Sequence, residues 1–326
     1  MAHGKSLDIN NSSYNGELAL PYIAPAILSA DTIANGYITV HENVKHKAVL
    51  KKLVAANEII DAANCDFTKT AGDLDLNEVV LQPTELQVNQ ELCKRDFRSD
   101  WEALQTGRSL MGDRLPPNFE TFLLQFLAGK VSEGIERAIW QGNFDPATGT
   151  ASGGVAQHFN GIWNLVQSNV GDVANATNFA NAIDVDDVLT RVDAVVQGGS
   201  SAVLNDPNAK IFMSRKTLYL FQRALGGTIT SAGAAPTQGG ILTGAVPTSY
   251  LGYEIIAPAG FPNDCILFTT IENLHFGCNL ATDQIEATVV DMTLTDASDN
   301  VRVAMRFSGG TQIGSLSDVS AGYIQP

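Results

Sequence analysis

Five histidines, His3, His41, His46, His158 and His275, and four cysteines, Cys65, Cys93, Cys265 and Cys278, are the side chains that could ligate a metal or begin nucleophilic chemistry. Metal and dithiol sites bring at least two such residues within a few positions of each other. No CxxC pair exists, and the histidines are dispersed, so the spacing argues against a zinc ribbon or a thioredoxin-like site. His41 and His46 fall in a lysine-rich stretch and are expected to be solvated. The segment GRSLMGD, Gly107 to Asp113, has two glycines at Walker spacing but lacks the Lys-Ser/Thr pair that would hold phosphates. There is no GxSxG elbow, no HExxH and no GxGxxG after a strand. Asp184, Asp186 and Asp187 are close enough to raise a paired-carboxylate site. Their place at the start of a predicted helix explains them more simply, because carboxylates offset the positive end of the backbone dipole. The expectation is a protein without catalytic, cofactor-binding or metal-binding residues, and not an enzyme.

The element that must organise the chain is the stretch Pro116 to Gly142. Phe119, Phe122, Leu123, Phe126, Leu127, Val131, Ile135, Ala138 and Ile139 recur at three- and four-residue steps. That period predicts one amphipathic helix over 118–141 with a single apolar stripe. Asn118 is the expected N-cap and Gly142 the expected left-handed cap. Gln125, Lys130, Ser132, Glu133, Glu136, Arg137 and Gln141 are placed on the polar side. A long helix with one stripe is expected to lie along a sheet as a strut.

Bulk composition narrows the function classes. With 326 residues and 44% hydrophobic content the chain can bury a sizeable core. Only 17% of residues are charged, as expected where much surface is hidden against other copies. A net charge of −15 repels phosphate backbones and argues against sequence-specific nucleic-acid binding. The apolar stretch Leu18 to Ala30 contains Pro21 and Pro25 and lacks a basic leader, so it is not expected to be a signal peptide. No run reaches the length of a membrane span, and no membrane association is expected.

In order, the chain reads as follows. Residues 1–34 are a polar, then proline-broken arm that needs a partner surface. Residues 35–78 are a long β-hairpin; Lys45, Lys47, Lys51 and Lys52 lie on its first side, and Asp61, Asp66, Asp73, Asp75 and Glu78 on its second. Such a ribbon is marginal alone and becomes stable on another molecule, or the charges pair across the hairpin itself; both remain open. Residues 79–145 hold two strand-like runs, a short helix and the strut. Residues 146–285 form an inserted α/β unit. A return hairpin over 286–305 and a closing strand with the C-terminus over 306–326 complete the first body. The fold class is α+β.

This order of parts resembles the major capsid protein of tailed bacteriophages, the Hong Kong 97-type fold. The likeness is greatest at LGYEIIAPAGFPNDCILFTTIENLHFGCNL, Leu251 to Leu280, with its Asn273-Leu274-His275-Phe276-Gly277 stretch. ELCKRDFRSDW, Glu91 to Trp101, and RFSGGTQIG, Arg306 to Gly314, are similar to the corresponding regions of that family. The resemblance implies an N-arm, an E-loop (35–78), a P-domain with spine helix and an inserted A-domain. It implies hexamers and pentamers of an icosahedral shell enclosing double-stranded DNA, assembled in the host cytoplasm and located in the virion. Partners would be other copies of the chain, with portal, scaffolding and decoration proteins; a separate scaffolding protein is expected. Some members cross-link subunits through a lysine and an asparagine; Lys45, Lys47, Lys51 and Lys52 lie in the matching ribbon, but no specific pair is matched. An encapsulin-type protein compartment, a non-capsid virion subunit and an enzyme of unrecognised type stay open as alternatives.

Overall fold

The computed structural model describes residues 31–55, 74–93, 117–144, 159–225, 248–278, 287–292, 298 and 300–324. The expectations for the arm before Asp31, the ribbon tip, the short helix after Cys93 and the 226–247 loop lie outside them.

The elements run as α1 (Asp31–Ala34), β1 (Thr39–His41), β2 (Ala48–Ala55), β3 (Leu74–Leu81), β4 (Thr84–Cys93), α2 (Pro117–Gln141), α3 (Ile162–Ser168), β5 (Asn175–Phe179), α4 (Val188–Gln197), α5 (Ser201–Leu204), β6 (Ala209–Met213), α6 (Arg215–Leu225), β7 (Ser249–Tyr250), β8 (Tyr253–Ile256), β9 (Ile266–Thr270), β10 (Leu274–Gly277), β11 (Ala287–Asp291), β12 (Asn300–Ile313) and β13 (Ser320–Ile324).

Two sheets and a ribbon carry the strands. In the five-stranded first sheet, β12 is the spine. Its early residues pair antiparallel with β11 through Val289↔Val303 and with β4 through Val303↔Gln90. Its end pairs with β10 through Phe276↔Thr311, and β10 carries β1 in parallel at its other side. The β11–β12 pairing is the expected return hairpin. The six-stranded second sheet runs β5-β13-β9-β6-β8-β7. β2 and β3 form a separate two-stranded ribbon that continues to Leu81, past the expected limit at residue 78.

The second sheet is apolar on both faces, because each face is covered. In β6, Ile211 and Met213 pack with Val192, Val195 and Phe221 of α4 and α6, while Phe212 points to the opposite cluster with Trp140 and Trp163. Buried runs of this kind belong to strands sandwiched between helices. β8 and β9 are not joined as a tight hairpin, since β6 lies between them, parallel to β8 and antiparallel to β9. A tight turn at Leu251 and Gly252, both with positive φ, joins β7 to β8.

Two segments cross the expected boundaries. Leu274–Gly277, expected in the inserted unit, is paired into the first sheet. Ser320–Ile324, expected in the first body, runs between β5 and β9 inside the second sheet. Both crossings bury the strand on two edges, so backbone pairing decides the placement.

The strut α2 is 25 residues long, or roughly 37 Å at the α-helical rise. It begins at Pro117, so Asn118 is the second helical residue and not the N-cap. Proline is preorganised for a first helical position and lacks the amide that would go unused there. The single-stripe expectation fails in the last turns, where Ile135, Glu136, Ala138, Ile139 and Trp140 are all buried. There the helix enters the core shared by both sheets, and the Trp140 ring packs against Phe212 and Phe261. Gly142 is not left-handed. It is glycine because a Cβ there would sit 2.2 Å from the Phe159 carbonyl oxygen.

Candidate assembly surfaces

Among the described residues, no group of three or more His, Cys, Asp or Glu could hold a metal ion. Cys265 and Cys278 are core residues. Asp187 stands at the N-cap position of α4 without a side-chain capping bond; its carboxylate accepts from the Asp184 amide at 2.9 Å, in the turn before the helix, and pairs with Arg191. Asp184 and Asp187 thus organise the turn that leads into α4, which begins at Val188. An open groove of about 260 Å³ lies between α2 and β4, lined by Leu86, Val88, Leu127, Val131, Ile135 and Phe159 among others. Its polar lining is limited to Gln87, Gln90 and Lys130. Among the described residues, no helix is long and apolar enough to cross a membrane.

What the surface does offer is the ribbon. In its antiparallel register Val49 faces Val80, Lys51 faces Glu78 and Leu53 faces Leu76. Opposite residues share a face, and alternate residues along each strand join them there. All six belong to one face, and it is open to solvent: Val49 is 48% exposed, Leu53 63%, Leu76 55% and Val80 43%. Lys51 and Glu78 form a 3.5 Å ion pair at its centre. That pair is cross-hairpin at one position of the charge pattern, whereas Lys52 reaches Asp318 on the body; an exposed pair of this kind contributes about 1 kcal/mol at most.

The other ribbon face turns to the body. Leu81 at its base is fully buried. Lys52 Nζ lies 2.5 Å from Asp318 Oδ2 and also donates to Ser315 Oγ. Burial would raise the Asp318 carboxyl, but hydrogen bonds from Lys52, Ser315 and Ser200 and the Lys52 charge outweigh it and hold it below its ordinary value. Gln312 Nε2 donates to the Val80 carbonyl at 3.0 Å. The ribbon is thus held to the body along one face and bare on the other.

The root holds a contact that spacing did not reveal. His41 Nε2 and His275 Nδ1 are 3.0 Å apart, although 234 positions separate them. His41 is half-buried at the edge of the first sheet and not a solvated side chain, whereas His46 is exposed. The parallel β1–β10 register, Thr39↔His275 and His41↔Gly277, brings the pair together. Burial first, and the His41 charge second, push His275 down to about 4. His3 and His158 lie outside the described residues.

A third junction fixes the exit from the arm. The fully buried Glu136 carboxylate accepts from the Thr32 amide at 3.2 Å and from the Thr32 hydroxyl at 2.5 Å. Trp140 Nε1 donates to the same hydroxyl at 2.8 Å. Burial raises the Glu136 pKa; the Thr32 and Gly260 hydrogen bonds oppose the rise, and Asp31 adds to it.

The chain shares its fold with solved capsid structures. No protein-family model and no curated protein matches the sequence. Among solved structures, the chain is similar to the capsid of the native GTA particle, with TM-score 0.55 and 14% identity over 98% of this chain and 96% of that one. It is similar to the Gordonia phage Cozz structure, with TM-score 0.56 and 12% identity over 98% and 92% of the two chains. The satellite phage P4 procapsid, which includes the size determination protein Sid, gives TM-score 0.56 and 12% identity over 90% and 89%. The α+β capsid fold is therefore shared almost end to end.

Proposed function

We propose that the chain is the major capsid protein of a tailed bacteriophage, a structural subunit that assembles into hexamers and pentamers of an icosahedral shell around double-stranded DNA. The observation that carries this reading is the exposed apolar ribbon face, Val49, Leu53, Leu76 and Val80, on a fold shared over nearly all its length with a phage capsid structure. A two-stranded ribbon is marginal in water by itself, and covering this face with a neighbouring copy stabilises both partners. Several modest contacts made at once by every subunit add up to a strong shell.

In this reading the ribbon is the E-loop, α2 the spine helix of the P-domain, and the second sheet with its helices the A-domain. The partners are other copies of the chain, with portal, scaffolding and decoration proteins. The net charge of −15 lets DNA be enclosed without sequence-specific contacts. Assembly takes place in the host cytoplasm and the product resides in the virion. Negative-stain microscopy of the purified chain tests the proposal. Hollow polyhedra or five- and six-fold rings are expected, and a monomer that persists at high concentration would overturn it.

A further inference from the structure

We propose that His41 and His275 form a proton-operated hinge at the root of the β2–β3 ribbon, joining β1 to β10 while at least one ring is neutral and parting when both are charged. The proposal concerns one chain and stands whether or not that chain builds a shell.

The geometry supports it in three ways. First, an imidazole pair bonded from Nε2 to Nδ1 at 3.0 Å needs one acceptor nitrogen. A neutral pair has one, and a singly protonated pair still has one. When both rings are protonated, both facing nitrogens carry hydrogen, and two like charges meet at contact distance. Second, the strand they secure is short. β1 has 3 residues, is the edge strand of its sheet, and leads directly into the ribbon. Besides its ladder to β10, the flanking backbone bonds are Cys278 N to His41 O and Val44 N to Cys278 O, each 3.0 Å. Third, the surroundings offer His275 little to offset a charge. Opposite it on β12 stands the neutral Gln312, and its Nε2 lies against Gly314, where a Cβ would be 2.9 Å away. Nearby charges are Lys52 and Asp318, engaged with each other, Glu42 next to His41, and Glu272 in the turn before β10. Burial and His41 together hold the His275 ring neutral down to about pH 4.

The Asp318 carboxyl is held below its ordinary value, so it keeps its charge, and its grip on Lys52, while the histidine pair gives way. The ribbon then pivots on Lys52 and does not detach. The Gln312–Val80 contact carries no titrating group and stays on the pivot side.

Hydrogen exchange on the full chain, compared at about pH 7 and about pH 4 and corrected for intrinsic rates, tests this. Protection over Thr39–Ala55 is expected to fall about tenfold at the lower pH relative to the core strand Ala209–Met213. His41→Gln and His275→Asn place an amide where each facing nitrogen lies and do not titrate; both are expected to keep their protection. Unchanged protection in the wild type, or an equal fall in the variants, would overturn the hinge. Ring-proton NMR of the wild type serves where a variant fails to fold. A His275 midpoint near about 4 supports the hinge, and one at the ordinary 6.5 refutes it.

Discussion

The hydroxyl of Thr32 lies 2.5 Å from the carboxylate of Glu136, 104 positions further along, and accepts a hydrogen bond from the Trp140 indole. One side chain from the arm's exit thus satisfies two buried polar groups of the strut. Thr32→Val keeps the shape and removes the hydroxyl, leaving the carboxylate and the indole N–H short of a partner. Stranded buried groups cost about 1–3 kcal/mol each, so a loss of about 2–4 kcal/mol is expected in urea unfolding, with Thr32→Ser close to wild type.

Glu136→Gln reads the charge at the same site. The Glu136 pKa is raised, by burial above all, from its ordinary 4.5. The native state therefore holds this proton at pH values where the unfolded chain has lost it. Wild-type stability from this group is greatest at low pH and declines as pH rises through the raised value. Glutamine does not titrate. The stability difference should move in favour of Glu136→Gln between about pH 5 and about pH 8, as followed by thermal melts across that range. A constant difference would show that the carboxyl titrates as in water.

Glycines at two points of α2 should behave oppositely. Gly134 has open space where a Cβ would be, so Gly134→Ala gains helix propensity, about 1 kcal/mol. Gly142 has the Phe159 carbonyl 2.2 Å and the Ala138 carbonyl 2.6 Å from that position. Gly142→Ala must displace backbone at the junction of α2 and α3, at a cost of about 3 kcal/mol or more, and is expected to lower the yield of folded protein. Melting temperatures of the two variants, moving in opposite directions, are the check.

What the sequence disclosed and what it concealed divide along a physical line. The strut was legible because its stripe repeats locally. The Lys51–Glu78 pairing was visible as one of two readings of a charge pattern. Glu136 was misplaced on the polar side, because a period marks a face and cannot say that the chain from Thr32 will cover it. β13 was misplaced because the short SAGYI carries little pattern, and its slot is set by β5 and β9, more than 40 residues upstream. The His41–His275 pair depends on a parallel register between distant strands, which no local spacing encodes.

The bare ribbon face separates folding from association. Leu53→Glu and Leu76→Glu place charge on side chains that are 63% and 55% exposed within the chain. Substitutions at such positions alter the stability of the subunit by about 0.5 kcal/mol or less. If the face is covered by a neighbour, each buries an unpaired carboxylate there, which costs several kcal/mol per contact and recurs at every subunit. Near-normal circular dichroism and melting, with particles or rings lost in microscopy and sedimentation, is the expected result. Particles formed as readily as in the wild type would place the assembly contacts elsewhere.

The Lys52–Asp318 contact should reveal itself by its pH dependence. The Asp318 carboxyl titrates below its ordinary 3.8 in the folded chain, since hydrogen bonds and the Lys52 charge outweigh its burial. A depressed acid stabilises the native state above the unfolded value, and that contribution disappears as pH falls through the folded one. Asp318→Asn removes the charge at every pH. It should therefore be less stable than wild type at about pH 5 and above, and the gap should narrow below about pH 4. Because Lys52 reaches across from the ribbon, the same variant should raise hydrogen exchange in Ala48–Leu53 while leaving Ala209–Met213 unchanged. If stability changes but ribbon exchange does not, Asp318 acts through Ser200 and the second sheet, and the ribbon root is held by its other contacts, Gln312 and the histidine pair among them.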